Sequence, residues 1–189
     1  MSAPMSVEGK PGPHKAPYRS TNGSSATATL CAAAGAAALA LVPLASKPSP
    51  LLLWNPSGSA TVGLYHVIAD RPVRTGDMVA AFAPAGARAL AAARGYLPAS
   101  VPLVKSLAAT RGDLVCTSGA ILRVNGRMMA VRLRRDPHGR PLPWWRGCRQ
   151  LRADELLLLG GSPYSFDGRY FGPVRTDALI GKAVFLWRA

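Results

Sequence analysis

Two hydroxyls and one amine stand out as groups able to do chemistry. Asn55-Pro-Ser-Gly-Ser59 sets Ser57 and Ser59 on either side of a glycine, just after a proline. Small residues let a backbone turn sharply and leave a hydroxyl open to another molecule, although a Ser-Gly-Ser turn alone also reads as a polar surface turn. The amine is Lys105, in the otherwise uncharged run Val101–Leu107, with no acid nearer in sequence than Asp113. A serine hydroxyl needs a base to become a nucleophile, and lysine serves only when its amine is neutral. Burial among apolar groups favours that neutral form. On a strand, Val104 and Ser106 would face away and leave Leu103 and Leu107 beside the amine. The bland alternative is a strand-edge lysine whose head reaches water. An oxyanion at a scissile carbonyl would find one donor in the Ser59 N–H and a second in the Ser57 hydroxyl. A third stretch, Ser165-Phe-Asp-Gly-Arg-Tyr-Phe-Gly172, comes near the C-terminus. In that order the three read as a serine–lysine protease.

The rest of the chain must position these groups. Its 189 residues make one domain with room for an appendage. Apolar residues reach 49% and charged ones only 17%, light on charge for a wholly soluble protein. Lys+Arg number 23, of which 18 are arginine, against 9 Asp+Glu, for a net charge of +14. Such a field suits nucleic acid or acidic lipid head groups. Cys31, Cys116 and Cys148 have no metal-ligand spacing, and neither do His14, His66 and His138.

Residues 1–25 are rich in Pro, Gly and Ser and lack periodicity, so a disordered basic tail is expected. Residues 26–46 are uncharged and centred on alanine and leucine, which suits a transmembrane anchor, a cleaved signal segment or a buried helix. As an anchor or signal it would leave the tail cytoplasmic and export the remainder of the chain. Residues 47–50, Lys-Pro-Ser-Pro, form a stiff linker, and 51–189 the peptidase domain. With a real anchor, the Ser59 turn lies within about ten residues of the bilayer, at roughly 3.3 Å per extended residue. Trp54 then suits the head-group level or a buried core.

Beyond the turn the pattern is mainly β. Strands are expected over Leu64–Ile68, Met78–Ala83, Val101–Leu107, Leu114–Thr117, Glu155–Leu159 and Ala183–Trp187, and a helix over Gly86–Leu97. Asn125-Gly126 between two apolar runs predicts a hairpin with a type I′ turn, and Asp136–Pro143 an exposed loop. The fold class is an all-β catalytic domain with one or two short helices.

The three stretches together resemble the type I signal peptidase family, most closely the TraF-type peptidases of plasmid conjugation systems. Asn55-Pro-Ser-Gly-Ser59 with Gly63-Leu-Tyr65 is similar to the segment around the family's nucleophile, Val104-Lys105 with Gly112-Asp113 to that of its general base, and Ser165–Pro173 to its late motif. The resemblance runs from about Leu51 to Trp187. It implies Ser59 as nucleophile, Ser57 as oxyanion hydroxyl, Lys105 as base, and Ser165, Asp167 and Arg169 as support for the lysine and the site wall. It also implies a signal-peptidase-like β domain behind an N-terminal anchor in the inner membrane, with a periplasmic catalytic domain. No metal or cofactor is implied, and the substrate carries small residues at the cleaved position. Two departures stand out. Ala60 replaces the methionine that ordinary signal peptidases carry after the nucleophile. Gly160-Gly-Ser162 replaces their Gly-Asp-Asn, which puts any acid role at Gly161 in doubt.

The expected function is processing, and in some systems of this type cyclisation, of a conjugative pilin precursor. A general secretory leader peptidase and a non-catalytic, basic, membrane-tethered conjugation component are the alternatives. Asp167 either pairs with an arginine or orients Lys105 directly. A serine–histidine arrangement through His66 stays open, as does a Cys116–Cys148 disulfide. The arginines from Arg123 to Arg152, with Trp144 and Trp145 among them, read as a solvated face, an acidic-lipid surface or a nucleic-acid surface. No recognisable nucleic-acid module accompanies them, so the partners expected are an exported precursor peptide and the lipid surface.

Overall fold

The computed structural model describes residues 28–37 and 52–188. The chain divides into two units, Met1–Pro48 and Ser49–Ala189. In the first, residues 28–37 form an exposed helix, α1. The expected tail, the linker and the remainder of 26–46 lie outside the described residues. Among the described residues no helix is long and apolar enough to cross a membrane.

The second unit is mainly β. Its strands are β1 (Leu52–Asn55), β2 (Gly63–Ile68), β3 (Met78–Ala81), β4 (Leu103–Ala109), β5 (Leu114–Ser118), β6 (Ile121–Val124), β7 (Arg127–Val131), β8 (Gly147–Gln150), β9 (Glu155–Leu159), β10 (Val174–Arg175) and β11 (Leu179–Trp187). Helix α2 (Ala85–Ala93) and the single turn α3 (Gly168–Phe171) complete it, with a 3₁₀ turn at Thr176–Ala178. Seven strands make one sheet in the order β1-β2-β11-β3-β4-β9-β10, and four make a second, β7-β6-β5-β8.

The sequence pattern explains most of these elements. In β2, Gly63, Tyr65 and Val67 face inward and alternate with half-covered neighbours. β9 is a continuous apolar run and is buried along its whole length. The β6–β7 hairpin turns at Asn125 (φ 50°) and Gly126 (φ 81°), both in the left-handed region a type I′ turn requires. β4 begins at Leu103, two residues later than expected, because Pro102 cannot donate to the ladder with β3. β4 feeds three apolar clusters: Val104 packs with Tyr65 and Val67, Leu107 with Val79 and Leu158, and Ala109 with Val115 and Leu122. Lys105 therefore sits in a strand with partners on both sides, opposite Val79 of β3.

Three further features depart from the expectations. Helix α2 stops at Ala93, four residues before the expected Leu97, because Gly95 takes a left-handed conformation (φ 70°). The Tyr96 and Gly95 N–H groups bond back to the Ala91 and Ala92 carbonyls, closing the helix and turning Tyr96 away from it. The Asp136–Pro143 segment is a loop, but not one whose acid is exposed. Asp136 is 7% exposed and receives the Tyr96 hydroxyl, the His138 and Arg140 amides and the Arg140 guanidinium. Burial alone would raise its carboxyl; those donors outweigh it and hold the carboxyl far below the usual range. Strand β8 has no counterpart among the expected elements. It edges the second sheet with Cys148 opposite Cys116, and the two are joined as a disulfide.

Candidate active site

The Ser57–Ser59 turn is made where β1 ends and the chain loops back to pair as β2. Asn55, the last residue of β1, stands opposite Gly63. Ser59 comes to rest 9% exposed, and Lys105 of β4 approaches it while 4% exposed. Lys105 Nζ lies 2.5 Å from Ser59 Oγ. Ser57 Oγ lies 2.8 Å from the same Ser59 oxygen. Elements far apart in sequence thus converge on one hydroxyl.

The amine is tuned for this place. Burial lowers the Lys105 pKa from 10.5 to about 8; the Asp167 charge pulls it up, and the Arg169 charge pushes it down again. Roughly one lysine in ten is therefore neutral at pH 7, against fewer than one in a thousand for a free side chain. A neutral Nζ this near Ser59 can accept its proton. Among the described residues the Ser59 N–H has no hydrogen-bond partner, and is free to donate to an oxyanion.

Behind the pair lies the late stretch. Asp167 is fully buried; its Oδ1 accepts the Arg169 Nε at 2.8 Å and its Oδ2 the Arg169 Nη2 at 3.0 Å. This two-pronged pair holds the Gly160 peptide from both sides. The Gly160 N–H donates to Asp167 Oδ2 at 2.7 Å, and Arg169 Nη2 donates to the Gly160 carbonyl at 2.7 Å. Gly161 N–H in turn donates to the Ser59 carbonyl at 2.9 Å. The ion pair thus fixes the Gly160–Gly161 segment, which is hydrogen-bonded to the Ser57–Ser59 turn. Among the described residues Asp167 makes no hydrogen bond to Lys105 and reaches the amine by charge alone.

Ser165 lines the same cleft, 3% exposed, with its Oγ unpaired among the described residues. It packs on Gly160, where any added Cβ would collide with it. Gly161 has open space beside it, so packing does not exclude a side chain there. All six residues expected to form the site line this region or brace it. His66 does not: it lies on β2, away from the cleft.

The cleft encloses about 340 Å³. Its lining includes Trp54 and the serine turn, together with Leu103, Tyr96, Phe166 and the Asp136 corner. Its mostly apolar lining suits an extended peptide with small uncharged side chains. Tyr96 and Asp136 have no motif in the sequence and are wall-forming residues that sequence reasoning missed. The one available signal was an aspartate four residues before an arginine within a turn.

The arginine crowd is largely engaged within the protein. Arg149 and Arg152 pair with Glu155, Arg140 with Asp136, and Arg132 and Arg146 both lie against the Trp144 ring. The exposed apolar surface is partly elsewhere: Leu52 and Trp54 on β1, and Phe185, Leu186 and Trp187 on β11. These strands flank β2, whose Leu64 is opposite both Trp54 and Trp187.

Residues 24–188 match the family described as signal peptidase, peptidase S26. The chain is 35% identical over 137 residues to a plasmid transfer protein TraF of Escherichia coli, covering 67% of this chain and 77% of that protein. It is 34% identical over 140 residues to a probable conjugal transfer protein TraF of Sinorhizobium fredii (strain NBRC 101917 / NGR234), covering 68% and 73%. Among solved structures, a signal peptidase I from Enterococcus faecalis V583 aligns at 17% identity and a TM-score of 0.36, over 59% of this chain and 97% of that one.

Proposed function

The chain belongs to the peptidase S26 family of signal peptidases, on its TraF-type side, and from that premise we propose that it is a membrane-anchored serine endopeptidase that processes the pilin precursor of a conjugative plasmid. The observation that carries the reading is the 2.5 Å approach of Lys105 Nζ to Ser59 Oγ inside an apolar cleft. The conjugal-transfer relatives favour a pilin over general secretory precursors, and the Cys116–Cys148 disulfide supports an exported, oxidising location.

Neutral Lys105 takes the Ser59 hydroxyl proton as Oγ adds to the scissile carbonyl carbon. The carbonyl oxygen becomes an oxyanion, held by the Ser59 N–H and the Ser57 hydroxyl. The Lys105 ammonium then protonates the departing amine, the C–N bond breaks, and an ester to Ser59 remains. Water, deprotonated by Lys105, hydrolyses that ester. If the amine at the precursor's other end attacks instead, the product is a cyclic pilin and no water is consumed. In both cases Ser59 recovers its proton.

The test is to express the chain with a pilin precursor from the same plasmid and weigh the product. Hydrolysis yields a shorter chain with a free N-terminus. Cyclisation yields a product lighter by one further water, with no N-terminus to sequence. A precursor left intact beside folded protein would refute the assignment, and equal cutting of unrelated secretory precursors would hand it to the leader-peptidase alternative.

The lipid partner is assigned to the apolar rim of β1 and β11, because that rim adjoins the cleft at Trp54. With vesicles of brominated anionic lipid and the full chain, Trp54→Phe and Trp187→Phe should each remove quenchable emission. Trp144→Phe, inside the arginine stack, should not. Quenching lost only in the Trp144 variant would move the lipid face to the arginines.

A further inference from the structure

We propose that Asn55 and Tyr65 are positioning residues that hold the nucleophile turn in its reactive shape, with Asn55 also directing the Ser57 hydroxyl. The proposal rests on Ser59 being the nucleophile.

The turn does little to hold itself. Its internal backbone bond, from Ala60 N–H to the Ser57 carbonyl, is long at 3.5 Å. Side chains from the adjoining strands supply the rest. Asn55 Nδ2 donates to the Ser57 carbonyl at 2.9 Å and the Thr61 carbonyl at 3.1 Å, with the Ala60 carbonyl at 3.4 Å. Its Oδ1 accepts the Ser57 hydroxyl at 3.1 Å and the Ser57 N–H at 3.4 Å. An uncharged amide is suited to this, because it offers two donors and an acceptor from one planar group. Tyr65 adds a second hold: its hydroxyl donates to the Thr61 carbonyl at 2.8 Å, from a ring 1% exposed and packed edge-on against Phe185. Gly63, opposite Asn55 on β2, lets β11 come close on the other side. A Cβ there would strike the Trp187 backbone, and its φ of 146° suits glycine.

The proton count gives Asn55 a role beyond bracing. Ser57 has one hydroxyl hydrogen and two acceptors within reach, Asn55 Oδ1 and Ser59 Oγ. Held on Asn55, the Ser57 oxygen keeps its rotamer 2.8 Å from the nucleophile. A neutral amide releases that hydrogen readily once negative charge grows on a substrate carbonyl. A carboxylate in its place would retain the hydrogen and also favour the protonated form of Lys105.

Three variants test this on a precursor peptide, with wild type and Ser59→Ala run alongside. Asn55→Ala should lower kcat by about 10- to 100-fold, less than the ~10²–10³ known for losing an oxyanion donor outright, with KM within about twofold. Tyr65→Phe keeps the ring and should lower kcat by a few-fold. Asn55→Asp should lower kcat and move the acidic limb of the pH–rate profile upward, a change that mere loosening of the turn would not produce. Unchanged kcat in Asn55→Ala overturns the proposal. So does a loss that only follows the unfolded fraction in thermal melts, or an Asn55→Asp profile whose limb stays in place. If wild type fails to cut, the fault lies with the peptidase assignment and not with Asn55.

Discussion

Lys105→Met is expected to lower kcat by roughly 10³-fold or more, in the upper part of the range for removing a general base. Methionine fills the same apolar slot on β4 without an amine, so the loss reports chemistry and not a collapsed strand. Ser59→Ala should lose at least as much, and the double variant no more than the worse single one, since groups acting on one proton fail together. The wild-type profile carries the matching signature. As the amine must be neutral and burial sets its pKa to about 8, log kcat/KM should climb with unit slope towards pH 8 and then level. Stability should track the same group with a definite sign. Between about pH 8 and the usual lysine value near 10.5, the unfolded chain holds a proton that the folded chain has released, so wild-type stability rises with pH across that window. Lys105→Met should lack that rise and be more stable at neutral pH, by up to about 3 kcal/mol, since a tenfold loss of proton affinity corresponds to about 1.4 kcal/mol. Activity within tenfold of wild type, or a flat profile from pH 6 to 9, would remove Lys105 from the reaction.

Much of this site is legible in the sequence. Lysine is rare within apolar β runs, so Lys105 draws notice through its surroundings, and those surroundings are what displace its pKa. Asn125-Gly126 and the alternation of β2 place their elements because each signal is local: a φ requirement in one case and a period of two in the other. The hidden parts depend on contacts between distant segments. Asp136 looks like turn chemistry because its carboxylate partner Tyr96 comes from the end of α2, and nothing local marks that meeting. Asn55 is visible as part of a motif, yet its use of both ends of one amide on a single turn appears only once β1 and β2 are paired. The weakly patterned β8 is fixed by its pairing with β5, where Cys148 stands opposite Cys116, and not by any alternation of its own. For Asp167 the sequence offers two roles, and only the folded chain reveals that its hydrogen bonds go to Arg169 and the Gly160 peptide.

Those two roles separate experimentally in Asp167→Asn, for which we expect a loss of about 3–5 kcal/mol in unfolding free energy. That is the range for removing one partner of a buried ion pair and leaving the other charge uncompensated. Both partners are shielded here, Asp167 at 0% and Arg169 at 3% side-chain exposure, so screening by water or salt should relieve little of it. The Arg169 guanidinium would still reach the Gly160 carbonyl, while Gly160 N–H would face a weaker acceptor, and the link through Gly161 to the Ser59 carbonyl would loosen. Chemical denaturation measures this part. The second role is read from the pH–rate profile of the fraction that remains folded. The Asp167 charge raises the Lys105 pKa and the Arg169 charge lowers it. Removing the acid leaves the lowering influence unopposed, so the acidic limb should move to lower pH even as the fold weakens. Arg169→Met alone should move it the other way, because the raising charge then stands alone. Opposed movements of this kind arise from electrostatic control of the amine across the loop. A limb that stays at its wild-type position in both variants, with only stability reduced, would confine the pair to bracing the Gly160–Ser59 connection.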